Sequence, residues 1–220
     1  MRRYSLGVLL MVIALIAAPR LFGASADEVL NLFGHGLDVF KKAGEAIDVW
    51  IRLKRTIRSD LERSQLENLS RELTRLSDTK CRLVRSLRRH ASTRSQASWE
   101  AVSTEVPPIL DAVTASASRV SNLRGSFTAQ EAPTWNSLLD VLQQKRYGVL
   151  LVLLGRDRSP LDSADATRIA SKLDEEVATI RTATASLGDY LKRTAPGAAG
   201  TETAGTHADQ PAADKHCAKE

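Results

Sequence analysis

From about residue 37 to residue 91 the chain has no proline, and its apolar residues recur at helical spacing. Leu66, Leu69, Leu73, Leu76, Lys80, Leu83, Leu87 and His90 alternate between steps of three and four, the heptad seam of a coiled coil. Upstream, Phe33, Leu37, Phe40, Ile47, Trp50, Ile57 and Leu61 form a helical stripe in a different register. The register breaks between about Arg58 and Gln65, and such a slip unwinds a coiled coil locally or marks a bend. Asp38 with Lys42, Asp48 with Arg52, Glu67 with Arg71 and Asp78 with Arg82 place an acid one helical turn before a base. Each such pair is worth about 0.2 to 0.5 kcal/mol, and their recurrence supports helix throughout. The pattern predicts one very long N-terminal helix over about 37–91, roughly 80 Å at 1.5 Å per residue.

Three further helices follow in the pattern. Trp99, Val102 and Val106 begin the second, expected over about 97–124, which Pro107-Pro108 should kink or restart because proline lacks the backbone donor. "TAQEAPTW" reads as loop, and about 135–154 reads as a third helix whose second half, "YGVLLVLLG", is apolar all round and so should be deeply buried. That run also suits a buried strand, but it is leucine-rich with only Val149 and Val152 β-branched. Ser159-Pro160 is a start signal for a fourth helix over about 160–194, carried by Ile169, Leu173, Val177, Ile180, Leu187 and Leu191. The expected fold class is all-α: an elongated antiparallel bundle of about four helices built around a very long N-terminal helix with coiled-coil character. Residues 195–220 have almost no large apolar side chain and read as a disordered tail.

The chain start changes the charge picture. Arg2 and Arg3 precede an apolar run from Leu6 to Ala18, and Ala24-Ser25-Ala26 offers a small-x-small cleavage site, so residues 1–26 read as a signal peptide and 27–194 as the bundle domain. An uncleaved membrane anchor is the alternative, although about 13 apolar residues fall short of the roughly 20 that span a bilayer. The signal carries three of the 31 basic residues and none of the 26 acids, which leaves 28 against 26, a net +2. The high overall pI of about 9.4 is therefore no argument for nucleic acid, and a periplasmic or secreted location is expected.

Candidate chemistry is sparse. Both methionines, Met1 and Met11, lie in the signal, no Cys-x-x-Cys-His run exists, and no Glu-x-x-His pair is present, so no haem, metal or other cofactor is expected. His207, His216 and Cys217 sit in the tail with nothing to orient them around a metal. His90 on the seam reads as a packing or helix-end residue. No Gly-x-Ser-x-Gly or phosphate loop occurs, and Asp174, Glu175 and Glu176 read as a solvated helix face. An enzyme is not expected.

The stretch "KCRLVRSLRRH", residues 80–90, stands out, with no acid between Asp78 and Glu100. Lys80 on the seam either fixes register or extends its stem to water. Cys81, one residue off the seam, reads as half-buried, and three states are open: a disulfide with Cys217, two thiols without a role, or an intermolecular or redox function. Two functions follow as expectations. The first is an exported, non-enzymatic scaffold or adaptor that binds another envelope protein or itself, with Phe33, Phe40, Trp50, Arg52 and Arg55 as partner-binding candidates, since aromatic and arginine side chains anchor interfaces. The second is peripheral binding to an anionic surface, phospholipid or lipopolysaccharide, through Lys80, Arg85, Arg88, Arg89 and Arg94.

Overall fold

The computed structural model describes residues 60–126, 128–129, 132–143, 154, 159–194 and 217. Four helices make up this part: α1 (Asp60–Thr93), α2 (Gln96–Leu123), α3 (Ala132–Gln143) and α4 (Ser163–Arg193). A 3-10 turn, Arg124–Ser126, closes α2, Leu154 is helical, and no strand occurs among the described residues. The all-α bundle expected from the periodicity is the observed fold. The stripe upstream of Asp60 lies outside the described residues, as do residues 144–153 of the expected third helix; of the expected register break, 60–65 is described and lies in continuous helix, with Leu61 exposed.

The heptad seam is the centre of the core. Leu66, Leu69, Leu73, Leu76, Leu83 and Leu87 are all buried, and so are the two polar seam residues, Lys80 and His90. The seam packs within the chain: α1 lies between α2 and α4 and contacts both. Both neighbours run antiparallel to it. Along α2, Arg82 meets Glu105 and Arg119 approaches Glu72; along α4, Arg88 meets Asp174, Arg181 approaches Asp78, and Arg63 reaches the carbonyl of Leu191. Trp99, Val102, Val106, Ile109, Val113 and Val120 supply the inner face of α2, and Ile169, Leu173, Ile180 and Leu187 that of α4. α3 packs on α2 with Trp135, Leu138 and Leu142 buried.

Three local expectations are corrected. Pro107 and Pro108 lie inside a single continuous α2, so the helix is not restarted there. Pro107 is exposed and Pro108 half-exposed, while buried Val102, Val106, Ile109 and Val113 hold the helix to the core across the two missing donors, so tertiary packing overrides the breaker. The fourth helix begins at Ser163, three residues beyond the expected start. Its cap is Asp162, whose carboxylate accepts from the Asp165 amide at 2.7 Å, while Ser163 Oγ donates to the Ala91 carbonyl at 2.6 Å and ties the start of α4 to the end of α1. α3 starts at Ala132, within the stretch expected to be loop.

Only Arg94 and Ser95 separate α1 from α2. Arg94 adopts φ 52°, the left-handed conformation that lets its amide reach the His90 carbonyl at 2.8 Å and reverse the chain. Ser95 then caps α2, accepting from the Ser98 amide at 3.2 Å.

Candidate functional site

The basic stretch of α1 faces three ways, because an α-helix turns about 100° per residue and eleven residues cover its whole circumference. Lys80, Cys81, Leu83, Val84, Leu87 and His90 point inward. Arg82, Arg85 and Arg89 point outward, and Arg88 lies between at the α4 boundary.

Lys80 forms an ion pair with Glu176 of α4, and both side chains are fully buried. This takes Lys80 out of the set expected to meet an anionic surface: its ammonium is spent inside the core. Asp174 and Glu176 are likewise buried, which corrects their reading as a solvated face; only Glu175 of the three is half-exposed, reaching Lys172 at 3.1 Å. A sequence signal for Glu176 existed. Ile169, Leu173, Glu176, Ile180, Ala183, Leu187 and Tyr190 alternate steps of four and three, a second heptad seam with one acid in it. Each long helix thus carries one charge on its seam, of opposite sign, and the antiparallel packing brings the two together.

Cys81 is joined to Cys217 by a disulfide that links positions 136 apart in sequence, with Cα atoms 5.4 Å apart. Of the three states open from the sequence, the structure has this one. Cys81 is 3% exposed and Cys217 4% exposed, so the first is buried more deeply than its position beside the seam implied, and the second is no free tail residue. Cys217 is held at two further points. Its amide donates to Asp174 Oδ1 at 2.7 Å, and Arg88 Nη1 donates to its carbonyl at 3.2 Å. Arg88 Nη2 in turn donates to Asp174 Oδ2 at 2.7 Å. Guanidinium, carboxylate and the backbone of Cys217 therefore form a closed ring, with each charged group using both of its prongs. Arg88, expected at an anionic surface, is committed to this ring with its side chain 30% exposed.

Beyond the ring lies His90. Its Nε2 is 3.1 Å from the Leu161 carbonyl, and because a carbonyl only accepts, this nitrogen carries a proton. Nδ1 lies 2.8 Å from Ser98 Oγ, and the ring stacks at a tilt on Trp99, with centroids 5.2 Å apart. His90 thereby ties together the end of α1, the start of α2 and the approach to α4, the packing and helix-end role its position suggested.

Arg85, Arg89 and Arg94 are exposed, and among the described residues none of them is in an ion pair; Arg82 is exposed and reaches Glu105 at 3.1 Å. Phe33, Phe40, Trp50, Arg52 and Arg55, the partner-binding candidates, lie outside the described residues. Among the described residues no group of three or more histidine, cysteine or acidic side chains is gathered as for a metal ion, and no helix is long and apolar enough to cross a membrane. No family model matches the chain, and neither do any curated proteins or solved structures.

Proposed function

We propose that the protein is an exported, non-enzymatic helical scaffold or adaptor acting through protein–protein contacts in the cell envelope. The observation that carries this reading is the buried Cys81–Cys217 disulfide, since a structural disulfide is a feature of proteins that fold in oxidising compartments. It agrees with the export signal read in residues 1–26 and with a periplasmic or secreted location. The buried charged groups add support of a different kind. Lys80, Asp174, Glu176 and His90 are each engaged by another group of the bundle, which is how side chains that hold a framework together are used. Because the Leu66–Leu87 seam is occupied within the chain, partner contacts fall to the aromatic stripe around Phe33, Phe40 and Trp50, flanked by Arg52 and Arg55.

The test is site-specific photo-crosslinking in intact cells from Phe40, Trp50 and Arg55, followed by mass spectrometry. One discrete adduct, to an envelope protein or to a second copy, is expected. Adducts no different from those at exposed Thr104 on α2 would remove the docking reading. Fractionation provides the matching check on location, with mature chain beginning at Asp27 expected outside the cytoplasm.

A second reading, peripheral binding to anionic phospholipid or lipopolysaccharide, is favoured by the exposure of Arg85, Arg89 and Arg94 at one end of the bundle, with no acidic partner among the described residues. Each basic residue near such a surface is worth about 1 kcal/mol. Replacing all three by glutamine should abolish sedimentation with vesicles containing phosphatidylglycerol; sedimentation equal to that of the parent would sink this reading.

A further inference from the structure

The three-point anchoring of Cys217 is more than a cross-link requires. A disulfide alone would fix the segment to Cys81. Here the amide and carbonyl of the same residue are also read, one by Asp174 and the other by Arg88, and those two side chains are themselves joined. These two hydrogen bonds address the backbone of Cys217, so they read a cysteine-bearing segment through its main chain, while the sulfur adds a side-chain requirement. The same division of labour recurs in peptide recognition, where main-chain hydrogen bonds give affinity and a pocket for a side chain gives specificity.

Connectivity alone does not bring Cys217 to Cys81. Thr194 ends the described part of α4, and the 23 residues from there to Cys217 can span about 75 Å when extended. A connection of that length does not by itself fix where the thiol lies, and joining two sites through a short flexible linker gives an effective concentration only around millimolar. The Arg88–Asp174 pair narrows that search, because it belongs to the α1–α4 framework and lies beside Cys81.

We propose that Arg88 and Asp174 form, with Cys81, a docking site for a cysteine-bearing peptide segment, which grips the cysteine's backbone before the disulfide closes and so directs thiol exchange to Cys81. The resident occupant is the chain's own Cys217, which in the sequence lies within "ADKHCAKE". The site stands independently of the partner contacts proposed for residues 27 to 60. The chemistry is thiol–disulfide exchange and needs a disulfide as the incoming oxidant. The Cys81 thiolate attacks the peptide sulfur of a mixed disulfide, the new bond to Cys81 forms as the old sulfur–sulfur bond breaks, and the displaced thiolate takes a proton from water. No net oxidation occurs in that step.

The full chain carrying Cys217→Ser has Cys81 as its single thiol and is the reagent for the test. It is offered either the octapeptide "ADKHCAKE" as its mixed disulfide with glutathione, or glutathione disulfide alone as a reference without an extended segment. Intact-mass spectrometry follows the rate of each adduct. The peptide adduct should form at least about tenfold faster than the glutathione adduct, and Asp174→Asn should remove most of that preference, the effect of losing one charge-assisted hydrogen bond. The reference rate reports access to Cys81 in every variant. Should Asp174→Asn fail to fold, Arg88→Lys keeps the charge but loses the two-pronged geometry and should lower the same ratio. Equal rates for peptide and reference in the Cys217→Ser chain, or a preference unchanged by the substitution at Asp174 or Arg88, would overturn the proposal.

Discussion

Lys80 and Glu176 meet as a fully buried ion pair at the interface of α1 and α4, one residue away from Cys81 on one helix and two from Asp174 on the other. An ammonium and a carboxylate taken out of water lose several kcal/mol of hydration each, and their mutual attraction has to offset that loss. What such a pair supplies is selectivity: shifting α4 along α1 by a turn would leave both charges buried against leucine and isoleucine.

Removing one partner should therefore cost far more than removing both. Lys80→Met leaves Glu176 buried beside an apolar side chain and should destabilise the bundle by about 3 to 5 kcal/mol, whereas Lys80→Met with Glu176→Leu should return to within about 1 kcal/mol of the parent. Urea unfolding followed by circular dichroism measures all three. Additive losses in the double variant would mean that the two charges act separately.

Opening the disulfide should weaken the fold without dissolving it. A closed loop of this length restricts the unfolded chain by an entropy equivalent to about 3 to 5 kcal/mol. Cys81→Ser with Cys217→Ser should lose about that much in a denaturation experiment, and adding dithiothreitol to the parent should reproduce it. No effect of reductant on the parent would indicate that the cross-link is absent in solution.

The turn between α1 and α2 offers a stabilising change. Arg94 holds φ 52°, where its Cβ costs about 1 to 2 kcal/mol and glycine has no such penalty. Arg94→Gly should raise stability by about 0.5 to 1 kcal/mol, after allowing for the greater freedom of glycine in the unfolded chain. A thermal scan with a higher midpoint than the parent is the expected result, and a lower midpoint would show that the arginine side chain contributes more than its backbone strain costs.

His90 should behave as a core residue. His90→Ala removes a buried ring packed on Trp99 and leaves Ser98 Oγ and the Leu161 carbonyl without it, a loss of about 2 to 4 kcal/mol. Hydrogen exchange should accelerate at the start of α2 around Ser98 and Trp99 before it does at the middle of α1. Uniform acceleration along both helices would deny His90 its role as a local tie.

How much of this was legible in the sequence differs from element to element. Leu66 through His90 declared their helix face, because eight seam positions at strict three-and-four spacing have few competing explanations, and all eight are buried. Glu176 was concealed by its neighbour Val177, which satisfies an apolar stripe nearly as well and draws the eye one residue along. Asp162 lost to Ser159-Pro160 because both are good start signals, and the choice was made by Ser163 bonding across to Ala91, a contact no local pattern contains. Cys217 is the extreme case. Its surroundings are alanine, glycine and charge, so no burial could be inferred from them, and it is held by backbone hydrogen bonds and a sulfur, neither of which leaves a periodic trace. The stretch 80–90 read as an excess of positive charge; Lys80 proves to be internal and Arg88 is tied to Asp174, which leaves Arg85, Arg89 and Arg94 as the exposed part with no acid paired to it among the described residues.

The bond between Cys81 and Cys217 makes a covalent ring of everything between them, including α2, α3 and α4. A protease that cuts once anywhere in residues 82–216 releases nothing, because the two pieces stay joined through sulfur. The chain would run at its full mass on a gel without reductant and fall into two fragments with it. In a compartment rich in proteases, a single nick would thus leave an intact particle.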